Sequence, residues 1–257
     1  MKRYGYDPSI YRTESIVDLV KQHRNGGDIF PESIDVVVGG FPCQDFSVAG
    51  KRKGFNSMRT HDGKLRADDL PTEETRGKLY YWMKEVIDIT KPKIFIAENV
   101  KGLVNMGQVK DIIQADFSQA DGNGYIVLSP QVLHAGNYGV PESRERVIFI
   151  GIRKDALKEE IAQILKNDLI PNHLNPYPQP THNCTLNDET LATPVVLCDV
   201  LKQLKEPKES FDPSQRFYSK AKYMGAHCQG QKEITMNSIG PTIRSEHHGN
   251  KNIVVYR

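Results

Sequence analysis

An α/β fold, with a largely parallel sheet covered by helices, is what the sequence predicts. Three observations predict it. β-branched runs recur at IDVVVGG (34–40), KIFIAENV (93–100) and RVIFIGIR (146–153). Stretches with apolar residues at helical spacing lie between them, and Gly, Pro or Asp-Gly stands where each element should stop.

Taken in order, 34–40 ends in two glycines, as a buried strand does when it enters a tight turn. A long polar stretch follows. In RGKLYYWMKEVIDIT (76–90), Leu79, Trp82, Met83, Val86, Ile87 and Ile89 fall at mostly helical spacing, and Lys91-Pro92 closes the segment. The run 93–100 is the second strand. VKDIIQADFSQA (109–120) is expected to be helical, with a stop at DGNG (121–124), a strand over 125–133 and another over 146–153. DALKEEIAQILKNDLI can form one more helix. From 171 to about 219 the chain is rich in Pro, Asn, Thr and Asp and reads as an irregular lobe. IVVY, near residue 257, is strand-like.

The length of 257 residues suits one large domain or two small ones. The mean hydropathy of −0.52 and the lack of an apolar run near eighteen residues argue against a membrane span. The opening MKRYGYDPSIYR has no apolar core of a signal peptide, so a cytoplasmic location is expected. Thirty-four Lys and Arg against thirty-two acidic residues give +2, so any polyanion site must be a local patch. Cys43, Cys184, Cys198 and Cys228 form no CxxC pair, which argues against a disulfide framework and a finger-type zinc site. Reduced thiols and no metal are expected.

Ligands bind where parallel strands end. Cys43 follows the first strand in GGFPCQDFSVAGKRKGF (39–55), with Pro42 fixing the backbone before it. A cysteine in that place is more often a small buried hydrophobe than a nucleophile. The second strand changes the balance. It ends in Glu98-Asn99-Val100, putting a carboxylate at the same edge, and Arg144-Glu145-Arg146 opens the third strand with guanidinium groups that keep their charge. Thiol, carboxylate and guanidinium are expected to converge.

On these residues the chain resembles the DNA cytosine-5 methyltransferases, of the restriction-modification type found in prokaryotes and phages. The resemblance covers nearly all of 28–250 and rests on GGFPCQDFS, RGKLYYW, AENVKGL, NYGVPESRERVIFIG and GPTIR, in order. One departure is visible: Glu142 stands where the family usually has Gln. The resemblance implies a Rossmann-like sheet dependent on S-adenosylmethionine, incomplete at its N-terminus, with a smaller irregular target-recognition lobe. It implies a partial catalytic domain over 1–153, a recognition region over 154–240, and a returning catalytic segment over 241–257.

For the chemistry, it implies that the Cys43 thiolate adds to C6 of cytosine and turns C5 into a nucleophile for the methyl group. Glu98 should then hydrogen-bond N3 and the exocyclic amine, Arg146 should sit on O2, and Arg144 should support the site. Asp28, Pro42 and Leu79 are the candidates for cofactor contacts. A stacked base exposes neither C5 nor C6 to a thiol, so the partner, double-stranded DNA, must have its target flipped out. Six basic residues against Asp62 in 51–66, Lys51 and Lys53 among them, give a local +5 able to grip phosphates; Gln44, Ser47 and Arg244 are the other DNA candidates.

The Gly-rich first turn with which such proteins open is not found in residues 1–22, and the closing Asn-rich motif would lie beyond Arg257. The expectation is therefore a chain truncated at both ends, or one half of a split enzyme whose cofactor site a second polypeptide completes. A non-catalytic DNA-binding fragment and a tRNA cytosine-5 methyltransferase are the alternatives.

Overall fold

In the computed structural model of the protein, residues 5, 10–41, 80–105, 108–122, 124–167, 169–205, 209, 211, 233–243 and 254–256 are described. The chain divides into two compact units, Met1–Val132 with Arg146–Tyr177 and Leu133–Glu145 with Pro178–Arg257.

The first unit begins with α1 (Ile16–Arg24), a helix the apolar spacing does not announce because its buried face is only Val17, Leu19 and Val20. The Ser15 hydroxyl accepts the Val17 N–H at 3.3 Å and caps its start. Val17 and Val20 pack with Trp82. β1 (Val36–Gly40), α2 (Tyr80–Thr90) and β2 (Ile94–Val100) follow, and β1 and β2 pair in parallel from Val36 against Ile94 to Gly40 against Glu98. α2 buries Trp82, Met83 and Ile87, and it also buries Glu85, whose charge is met by Arg24. The helix ends as expected, at Lys91 with φ +46 before Pro92.

α3 (Val109–Ser118) turns off through Asp121 and Gly122, both at positive φ, where the Asp-Gly stop was expected. The Lys91 ammonium meets the Asp121 carboxylate at 2.9 Å, joining the ends of the two helices. β3 (Tyr125–Val127) and β4 (Gln131–His134) occupy the stretch expected as one strand over 125–133. Pro130, with no N–H to donate, lies in the break between them.

β5 (Glu142–Ser143) is two residues long, and β6 (Glu145–Arg153) is the central strand. The sheet order is β1-β2-β6-β3, with β4 also paired to β6. The sheet is mixed rather than largely parallel: β6 runs antiparallel to both β2 and β3. A parallel neighbour needs a crossover that is usually helical, and no α-helix lies between β3 and β6, so the chain enters β6 from the opposite end.

One face of the sheet packs Phe95, Ala97, Val147 and Phe149 against Ile87, Ile113 and Phe117. Phe95 meets Phe117 at a tilt and Tyr125 edge-on, at ring separations of 5.0 and 5.3 Å, and its ring covers Gly151, its partner in β6. Each such buried aromatic contributes about 1.5–3 kcal/mol. The other face packs Ile126, Leu128 and Ile150 against Leu165 and Tyr177. Leu165 ends α4 (Glu159–Leu165), a shorter helix than the apolar pattern over 155–170 suggests.

The second unit holds α5 (Leu197–Leu201), β7 (Glu233–Thr235), β8 (Gly240–Pro241) and β9 (Val254–Tyr256). β5 pairs in parallel with β8, and β7 with β9. The irregular 178–192 stretch is fastened by buried Asn137. Its Oδ1 accepts the Thr185 N–H at 3.0 Å, its Nδ2 donates to the Thr185 hydroxyl at 3.0 Å, and its carbonyl accepts the N–H groups of Thr181 and His182. Polar anchoring of this kind leaves no hydrophobic period in the sequence. Among the described residues, no helix is long and apolar enough to cross a membrane, no three His, Cys, Asp or Glu are grouped to hold a metal, and Cys184 and Cys198 are free thiols.

Candidate active site

The register between β1 and β2 places Glu98 beside Gly40, at the carboxyl end of both strands. Alternation along β2 buries Phe95, Ala97 and Asn99 on one face and turns Ile94, Ile96 and Glu98 to the other. Position 40 has no side chain, and a Cβ built there would lie 3.1 Å from Glu98 Oε2. The bare backbone of Gly40 is what lets the carboxylate lie against the end of β1.

Arg146 reaches the same place from the neighbouring strand. It pairs with Val100, and Glu98 pairs with Ile148, so Arg146 and Glu98 are diagonal neighbours on one face of the antiparallel β2–β6 ladder. The Arg146 Nε donates to Glu98 Oε1 at 2.5 Å. Both side chains keep part of their surface open, 23% for Arg146 and 38% for Glu98, so an incoming polar ring can reach them. A carboxylate next to a fixed cation is a pair suited to hold an amide-like heterocycle edge while charge develops on it.

Asn99, on the opposite face from Glu98, is 1% exposed. Its Nδ2 donates to the Phe41 carbonyl at 3.2 Å and its Oδ1 accepts the Val100 N–H at 2.8 Å. The Phe41-Pro42 peptide has no N–H, so this carbonyl is its sole hydrogen-bonding group. Asn99 thereby fixes the backbone two residues before Cys43.

Of the expected site residues, Glu98 and Arg146 are brought together. Arg144 belongs to the second unit, where its guanidinium lies 3.7 Å from the carboxylate of Glu142. Asp28 is exposed in the connection between α1 and β1. Cys43, Pro42, Leu79, Gln44, Ser47, Lys51, Lys53 and Arg244 lie outside the described residues. The positioning parts of Gly40 and Asn99 were not foreseen. The glycine pair and the strand alternation were the available signals, but both act through cross-strand register.

The model of a protein family described as "C-5 cytosine-specific DNA methylase" matches residues 9–254. Among curated proteins, the chain is 39% identical over 138 residues to "Type II methyltransferase M.Sau96I" of Staphylococcus aureus, which covers 53% of this chain and 27% of that protein. It is 40% identical over 159 residues to "Type II methyltransferase M.FnuDI" of Fusobacterium nucleatum, covering 58% and 39%. The matched stretches thus span well under half the length of these relatives. Among solved structures it is similar to S. pombe Dnmt2 methyltransferase, with 13% identity and a TM-score of 0.47 over 95% of this chain and 61% of that one.

Proposed function

Because the chain belongs to the C-5 cytosine-specific DNA methylase family, we propose that it methylates C5 of a cytosine flipped out of double-stranded DNA, through a covalent bond between Cys43 and C6. The observation that carries the reading is the Glu98–Arg146 pair beside the bare backbone of Gly40, three residues before Cys43.

The Cys43 thiolate supplies the electron pair for the new S–C6 bond; the C5=C6 pair becomes a C4=C5 bond and the C4=N3 pair moves onto N3, which leaves C5 an enamine carbon able to attack. Glu98 holds N3 and the exocyclic amine, and Arg146 holds O2, so the charge that develops is met by groups already in place. S-adenosylmethionine, when bound, would supply an electrophilic methyl group, the pair of the broken S–CH3 bond staying on sulfur as a neutral thioether. After C5 has taken that methyl, a base removes the C5 proton, the C5=C6 bond re-forms and Cys43 leaves as thiolate. Exposed Asp28 would contact the cofactor's adenine, and Pro42 and Leu79 would line its pocket. The basic 51–66 stretch, with Lys51 and Lys53, would grip phosphates, and Gln44, Ser47 and Arg244 would contact the flipped site. Arg144, whose guanidinium lies 3.7 Å from the Glu142 carboxylate, would support the chemistry.

The test is covalent trapping on an oligonucleotide whose target cytosine carries fluorine at C5, which cannot leave as a proton does. The protein with methyl donor should form a denaturant-stable adduct with DNA, and Cys43→Ala should form none. An adduct with RNA alone, or an adduct that survives Cys43→Ala, overturns the reading.

A further inference from the structure

Glu142 holds two groups with one carboxylate. Its Oε1 accepts the backbone N–H of Ile243 at 2.9 Å and stands 3.7 Å from a terminal nitrogen of Arg144. The link is repeated in the backbone around it. Glu142 pairs with Gly240 and Ser143 with Pro241, the Gly240 N–H donates to the Pro141 carbonyl at 2.8 Å, and the Thr242 hydroxyl donates to the Ser143 carbonyl. Arg144 is itself held at the main chain, its N–H donating to the Glu142 carbonyl at 3.0 Å and its carbonyl accepting the Ala135 N–H at 2.8 Å. The side chain of Glu142 is 21% exposed and that of Arg144 37% exposed, so the carboxylate is only partly shared with water.

A fixed main chain still leaves the long arginine side chain free to swing. The charge on Glu142, 3.7 Å from that guanidinium, restrains it by Coulomb attraction across a partly buried gap. A glutamine would keep an oxygen for Ile243 and offer no charge to Arg144.

We propose that Glu142 is a positioning residue: it aims the Arg144 guanidinium and at the same time pins the 240–243 backbone that precedes Arg244 in the sequence. Its effect on methyl transfer, which rests on the function proposed above, runs through Arg144 and falls on the chemical step rather than on DNA affinity.

Two measurements on the full chain test this. Hydrogen exchange of the 240–243 amides reads the backbone part without reference to activity. Glu142→Ala should speed exchange at Ile243 about tenfold or more, while Glu142→Gln should stay close to the unchanged protein. Single-turnover methylation of DNA reads the other part. Glu142→Ala should lower the rate about tenfold and Glu142→Gln about threefold, with KM for DNA changed less than about twofold. In an Arg144→Ala background, Glu142→Ala should add less than about a twofold loss. Unchanged exchange in Glu142→Ala, or losses that multiply in the double variant, overturns the proposal. Should the unchanged protein methylate no DNA, the proposed function falls, and the exchange measurement still decides whether Glu142 pins the segment.

Discussion

Arg146 and Glu98 meet at 2.5 Å, Nε to Oε1, as diagonal neighbours on one face of two antiparallel strands. Because both remain partly exposed, the pair adds little to stability, on the order of 1 kcal/mol or less after solvent screening. Its value lies in the direction it imposes on two groups. Arg146→Ala should leave the urea midpoint nearly unchanged and lower single-turnover methylation about 10²- to 10³-fold, the usual loss when one donor to a developing charge is removed. Arg146→Lys keeps the charge without the planar fork and should recover only part of that loss. A midpoint that falls as steeply as the rate would make the pair structural.

Gly40 tests how closely the carboxylate must be placed. An alanine Cβ would lie 3.1 Å from Glu98 Oε2, and the atom in the way is the end of a side chain that can move. Gly40→Ala should therefore change stability by less than about 1 kcal/mol, because the loss of chain freedom in the unfolded state offsets the crowding. The displaced carboxylate should slow single-turnover methylation about tenfold. Thermal melting and rapid-quench kinetics on one preparation separate the two effects.

Asn99 makes the converse case. It is buried, and its amide donates to the Phe41 carbonyl. Asn99→Ala strands that carbonyl and should cost about 1–3 kcal/mol in urea denaturation. Asn99→Asp keeps the acceptor for the Val100 N–H but removes the donor and buries a charge, so it should be no more stable than the alanine variant. Stability equal to that of the unchanged protein in both variants would show that the clamp is dispensable.

Alkaline pH should weaken the first unit in a defined window. Tyr177 is 3% exposed, its hydroxyl donates to the Ile148 carbonyl at 3.0 Å, and burial pushes the phenol from 10.0 up to about 12. The folded value lies above the unfolded one, so the contribution is complete below pH 10.0 and is lost as pH rises toward 12. The urea midpoint should fall across that interval, and Tyr177→Phe should make the fall shallower. Tyr80 and Tyr125, raised in the same direction by burial, keep some slope in the variant. An identical slope in Tyr177→Phe would remove Tyr177 from the account.

The elements most legible in the sequence are those with a long apolar period. β1, α2, β2, α3 and β6 fall within a few residues of where their patterns place them. The direction of β6 was not legible, since alternation along RVIFIGIR is the same read either way; it follows from the connection before it. α1 escaped because three buried residues make too short a stripe, and the Asn137 network escaped because polar anchoring has no period. Glu98 and Arg146 were legible as charged residues at the ends of apolar runs. Gly40 meets Glu98 and Asn99 meets Phe41 across 58 positions, and Glu142 meets Ile243 across 101, pairings that a single sequence does not state.

The Phe95 ring resting over Gly151 constrains how this core can change over generations. Any side chain at 151 would occupy the space of that ring, so a lone substitution there would have to expel Phe95 from between Phe117 and Tyr125. Shrinking residue 95 first would leave a void costing about 3–5 kcal/mol. Neither single step is neutral, and the two positions can be exchanged only as a couple, which makes them a lock on the sequence drift of the strands that bear Glu98 and Arg146.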